Sequence, residues 1–220
     1  MSEALERRLA AARERVRELS RDLWTGDVLA ELLAAHEQQL QAERDLAAAR
    51  GEQYAQVIDI GPRWDDGAPL PHLMSNGSRT FVVCLASQPD PDWDGTYVTM
   101  VSPADQHQSL FVVLELRGCQ EIRFGGPNDE AIAGHPLHGR GLAGYEAHEV
   151  LNSQWIEEAI RVNSVHPHHS DAPFRQLQHY ALLFHDEMVE ALARGIESQL
   201  MTGTMQAILQ DLAAKLIEQA

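Results

Sequence analysis

The chain has 220 residues, 44% of them hydrophobic, and a formal net charge of −16. That length allows one domain with a real core behind an N-terminal arm, and no apolar run approaches the roughly 18 residues needed to cross a bilayer. Residues 1–50 carry 8 basic and 10 acidic side chains and the rest carry 9 and 23, so the acidity belongs to the globular part. Such a surface repels phosphate backbones, which argues against nucleic acid and for a cation, a cationic substrate or a basic partner.

Two cysteines, Cys84 and Cys119, make no disulfide framework, and the charged N-terminus lacks a signal-peptide apolar core. A cytoplasmic protein without a membrane segment is the expectation. Sixteen Arg against the single Lys215, with abundant Ala, point to a high-GC bacterial coding sequence.

The arm comes first. Leu5, Leu9, Ala12, Val16, Leu19 and Leu23 step by 4, 3, 4, 3 and 4, the period of a packed, coiled-coil-like helix seam, with Glu and Arg on the other faces. The pattern pauses at Trp24-Thr25-Gly26-Asp27 and resumes from Val28 to Ala47. Residues 1–50 therefore read as one kinked helix or a helical hairpin. An isolated amphipathic helix is marginal in water, so the seam needs a partner: a second copy of the arm, the domain, or the C-terminal helix. A homodimer is the favoured expectation.

Residues 54–220 read as an α+β domain with a central, mostly antiparallel sheet and a C-terminal helix. Val57–Ile60 is expected as a short strand, Arg63–Ser78 as a loop, and Thr80–Leu85, Thr96–Val101, Ser109–Leu116 and Glu121–Phe124 as strands on short connections. Asp90, Asp92, Asp94 and Gly95 match the first half of an EF-hand loop, but Val101 stands where the bidentate Glu belongs, so an acidic hairpin loop is the plainer reading. Gly125–Gly144 holds six glycines and two prolines and is expected as a loop, within which Asn128 can start a short helix. Tyr145–Leu151 is expected as a strand, Gln154–Asn163 as a helix capped by Asn152 or Ser153, Leu177–His185 as a strand, and a last helix starts at Thr202 or Thr204.

The chemistry concentrates late in the chain. Eight of eleven histidines fall between positions 135 and 185, interspersed with carboxylates. Histidine is the commonest metal ligand and the commonest acid/base near neutral pH. The candidate catalytic residues are His135, His138, Asp129, Glu130, His185 and Asp186. Glu146 and His148, two apart and so on one face of a strand, are the candidate metal pair, for which a divalent ion is the cofactor to consider. His179 and His185 lie about 20 Å apart on a strand and roughly 240° apart on a helix, so they cannot share an ion. His166, His168 and His169 read as an exposed cluster. Glycine-rich nucleotide motifs, His-Glu-x-x-His, Cys-x-x-Cys and Gly-x-Ser-x-Gly are all absent.

Three functions follow as expectations. The first is a small bacterial enzyme using a His/carboxylate acid–base or metal site within residues 129–186. The second is a non-catalytic regulatory protein that dimerises through its arm and binds a small molecule or protein. The third is an acidic immunity-type protein that neutralises a basic partner.

Overall fold

A computed structural model describes residues 2–21, 28–88 and 102–218. The arm is two helices, α1 (Ser2–Arg21) and α2 (Leu29–Ala49). They run antiparallel, because Leu5 and Leu9 pack on Ala42 and Leu46 while Val16 and Leu19 pack on Val28, Leu32 and Ala35. Of the two readings of the arm, the hairpin holds. The seam of α1 is covered by α2 of the same chain, so it does not require a second copy. Ion pairs Arg8–Asp45, Arg15–Glu31 and Arg50–Glu6 line the junction. They are exposed, and pairs of that kind stabilise by about 0.2–1 kcal/mol at most.

The described residues of the domain form nine strands. β1 (Tyr54–Val57), β6 (Ala147–Leu151), β7 (Gln178–Leu183), β8 (Met188–Ala193) and β5 (Glu121–Gly125) form one sheet in the order β1-β6-β7-β8-β5. β2 (His72–Ser75), β3 (Thr80–Leu85), β4 (Ser109–Arg117) and β9 (Gly195–Gly203) form a second in that order. All named strand pairs are antiparallel. The expected α+β class and antiparallel pairing hold, divided between two sheets rather than one.

Strand alternation builds the layers. Val82 and Cys84 of β3 and Val112, Leu114 and Leu116 of β4 face Tyr180 and Leu182 of β7 and Val189 and Ala191 of β8 in the core between the sheets. Phe81, Val83, Phe111 and Val113, one residue out of phase, face the other way onto Met205, Ile208 and Leu212 of the last helix, α4 (Met205–Glu218). Thr204 caps α4, its hydroxyl accepting from the Ala207 N–H at 3.1 Å. The outer face of the five-stranded sheet is covered by the glycine-rich segment, through Leu137 and Leu142, and by α3 (Gln154–Asn163), through Trp155 and Ala159. Ser153 caps α3 as expected, accepting from Ile156 N–H.

Three expectations shift. The first strand lies at Tyr54–Val57, and the segment taken as a loop at 63–78 contains β2. β8 and β9 fill a stretch that carried no strand expectation. The EF-hand-like segment and the Thr96–Val101 strand lie outside the described residues.

Candidate functional site

The Pro-Asn-Asp-Glu sequence is a cap. Asn128 is extended and its side-chain oxygen accepts from Ala131 N–H at 3.1 Å, starting a 3-10 turn over Asp129–Gly134. The cap places Asp129 where its backbone N–H donates to the His185 carbonyl at 3.1 Å, tying this turn to the β7–β8 connection. That connection is itself closed by Phe184 N–H donating to Glu187 O at 2.9 Å.

Side chains then converge. The Tyr145 hydroxyl donates to Asp129 Oδ2 at 2.8 Å. His185 Nε2 lies 3.8 Å from the same oxygen, and its Nδ1 is 3.1 Å from Asp186 Oδ1. The hydrogen bond that the His185 ring donates to Asp186, reinforced by the charge of Asp129, raises the His185 pKa. The Tyr145 hydroxyl, with the charge of His185, holds Asp129 below the usual carboxylate range, and Asp129 in turn raises the Tyr145 hydroxyl. Tyr145 is held at φ 59°, a left-handed conformation that a bulky residue adopts at a cost of order 1–3 kcal/mol. Backbone strain of this kind concentrates at sites where geometry matters more than stability.

This cluster borders a cavity of about 170 Å³ whose wall includes Asp129, His138, Tyr145, Phe184 and Glu187. Burial, followed by the charge of Asp186, raises the Glu187 pKa. Among the described residues, no Lys or Arg lines the cavity. Its charged wall is therefore carboxylate, and His185 stands behind Asp129, outside that wall.

The expected candidates divide. Asp129, His138, His185 and Asp186 belong to this cluster or its cavity. Glu130 is exposed beside it and makes no ion pair among the described residues. His135 turns away: its Nε2 lies 3.6 Å from Glu190 Oε1 in a separate buried network. There Ser153 Oγ meets His179 Nδ1 at 2.9 Å, and His179 Nε2 meets Glu190 Oε1 at 3.1 Å. Arg123 completes the network, 3.8 Å from Glu190 and stacked 3.8 Å over Trp155. Burial by itself would raise the Glu190 carboxyl, but the hydrogen bonds and charges of His135 and His179 outweigh it and hold the pKa at about 2. The Ser-His-Glu order resembles a nucleophile relay. However, Ser153 is buried, engaged as the α3 cap, and outside the walls of the cavities at Asp129 and along Val57–Arg63. The network anchors α3 to the sheet.

Glu146 and His148 do not act as a pair. Glu146 accepts from Arg63 at 2.9 Å. His148 is fully buried; its Nε2 accepts from Ala143 N–H at 3.0 Å and its Nδ1 lies 3.2 Å from the Ala181 carbonyl. Both nitrogens are occupied, which leaves no lone pair for a metal. Burial pushes the His148 pKa down to about 4. Among the described residues, no group of three His, Cys, Asp or Glu side chains is placed to hold a metal ion. His179 and His185 sit in different clusters, as their spacing requires. His166 and His168 are exposed, and His169 pairs with Asp171 at 2.8 Å.

Tyr145 and Glu190 were not among the candidates. The only sequence signal for Tyr145 is its place beside Gly144 at the end of the glycine-rich segment. Glu190 lies in the stretch with no predicted element. No protein-family model, curated protein or solved structure matches the chain.

Proposed function

We propose that the cavity lined by Asp129 and Tyr145, with His185 held against Asp129, is an acid–base site for a small cationic molecule, an amine or guanidine. One observation carries this reading: a low-pKa carboxylate and a strained tyrosine line a cavity whose other acidic group is the Glu187 carboxylate, and His185 stands against that first carboxylate, 3.8 Å from its Oδ2. Asp129 accepts from the ligand's N–H groups. Tyr145 fixes the carboxylate, and His185, held against Asp129, gives or takes a proton. A hydrogen bond to a charged group is worth about 1.5–3 kcal/mol, so one well-placed ammonium contact supplies a tenfold preference or more over a neutral analogue. The acidity of the whole domain steers the same class of ligand.

A thermal-shift comparison of short amines, guanidines and matched carboxylates tests the reading. The expected result is that amines or guanidines raise the melting temperature of the wild type and not of Asp129→Asn. If carboxylates alone stabilise the protein, or if Asp129→Asn responds like the wild type, the reading fails.

A second reading concerns assembly. Leu29 and Leu33 are 60% and 61% exposed, one turn apart on the outer side of α2. This apolar step supports a homodimer through the arm, independent of the α1 seam. Light scattering should give twice the monomer mass for the wild type and the monomer mass for Leu29→Gln/Leu33→Gln. A monomeric wild type, or an unchanged dimer in the double variant, counts against it.

A further inference from the structure

The wall of the Asp129 cavity sorts cations by shape as well as by charge. The Asp129 side chain is 36% exposed, so its carboxylate is within reach of a ligand. One oxygen is already taken: Oδ2 accepts from the Tyr145 hydroxyl at 2.8 Å and has His185 Nε2 at 3.8 Å. Among the described residues, no side chain hydrogen-bonds to Oδ1. A guanidinium binds a carboxylate best as a fork, with one N–H to each oxygen. That fork meets Tyr145 and His185 at Oδ2, whereas a compact ammonium needs one oxygen only.

Most of the remaining wall is apolar. Ile132 and Leu142 are half-buried, and Leu183, Phe184 and Met188 are buried. Ile132, Leu142, Leu183 and Met188 belong to one packed cluster. The cavity volume is about 170 Å³. An apolar cavity of about 150 Å³ lined by Leu, Ile and Phe takes up benzene, so this one has room for a single ring or a branched alkyl group on a short link. The wall holds two carboxylates, Asp129 and Glu187, and no Lys or Arg among the described residues. An α-carboxylate brought in with the amine would be desolvated beside them without a counter-ion. A second ammonium would lie against the apolar side of the wall or reach Glu187, whose ionised form is disfavoured by burial.

We propose that the ligand class of this site is a primary monoamine bearing one compact apolar group, with the ammonium on Asp129 Oδ1 and the apolar group against Ile132 and Leu142, to the exclusion of α-amino acids, guanidines and polyamines. This assignment rests on Asp129 being the cation-binding group, and it adds the body that the cation carries.

Calorimetric titration of the full chain at neutral pH with matched ligands tests it: benzylamine, phenylglycine (the same amine with a carboxylate), benzylguanidine (the same ring with a fork), putrescine and methylamine. Benzylamine should bind about tenfold tighter or more than each of the others. Leu142→Phe narrows the apolar side of the cavity and should weaken benzylamine by about tenfold or more, with the His185 titration midpoint, which reports the Asp129 charge beside it, unmoved. Ile132→Phe does the same from the 3-10 turn, so the test stands if Leu142→Phe does not fold. Phenylglycine, benzylguanidine, putrescine or methylamine binding as tightly as benzylamine, and losing that affinity in Asp129→Asn, overturns the assignment and leaves the amine site standing. So does a benzylamine affinity unchanged in a folded Leu142→Phe or Ile132→Phe. Benzylamine binding unchanged in Asp129→Asn, or no binding of any of these ligands, overturns the amine site and the assignment together.

Discussion

His185, in the β7–β8 turn, and His148, on β6, show how surroundings push one residue type in opposite directions. His185 is flanked by two carboxylates and partly open to solvent, so its charged form is favoured. Asp186→Asn and Asp129→Asn should each lower its titration midpoint, the former more, as followed by the imidazole proton shifts; a midpoint unmoved in both variants would remove the assigned couplings. His148 is neutral because it is buried, with a pKa of about 4 in the fold against 6.5 unfolded. Between those values the unfolded chain binds the proton and the folded chain does not, so stability falls as pH drops from 6.5 towards 4. At 1.36 kcal/mol per unit the loss is roughly 3 kcal/mol. Urea unfolding at pH 7 and pH 4.5 measures it, and His148→Gln should flatten the difference, whereas an equal pH dependence in the variant would assign it elsewhere. Neither state was legible in the sequence. Glu146-x-His148 has the spacing of a ligand pair, yet Ala143 and Ala181 claim the ring through contacts that only the folded chain creates.

The elements were more legible where their own pattern is strong. Thr80–Leu85, with its β-branched residues, and Gln154–Asn163, with its serine cap and one apolar face, lie where predicted. β8 carries no strand signal because Met188–Ala193 is buried throughout and shows no alternation around Glu190, whose charge is answered by His135 and His179 from other elements. The glycine-rich segment is a structural joint as well as a loop. Gly141 N–H donates to Glu43 of α2, and its carbonyl accepts from Arg44, which also reaches the Ala55 carbonyl of β1. Gly141 sits at φ 84°, and a Cβ there would lie 2.5 Å from Ala55 O. Gly141→Ala should therefore cost more than about 2 kcal/mol, from strain plus the clash. Gly134→Ala, with nothing within 4 Å and an ordinary φ, should be neutral or stabilise by up to about 1 kcal/mol. Equal unfolding midpoints for the two variants would refute this assignment of the arm–sheet joint.

At the scale of the molecule, two antiparallel sheets share one core, α4 covers one outer face, and the 3-10 turn, glycine-rich segment and α3 cover the other. The candidate site forms where that second cover meets the β7–β8 turn. The histidine and carboxylate density marked this region in the sequence, but not its division into an open cluster around Asp129 and a buried one around Glu190. That division depends on register: His179 opposes Leu192 within paired strands, while His185 follows the end of β7 in the turn. The charge of the domain and the charge of the site agree in sign, which makes the amine site the claim to test. Calorimetric titration of the wild-type chain with benzylamine and with benzoate at neutral pH does so most directly. The expected result is saturable one-to-one binding of benzylamine, weakened at least tenfold in Asp129→Asn, and no binding of benzoate. Binding of benzoate in preference to benzylamine, or benzylamine binding unchanged in Asp129→Asn, would contradict it.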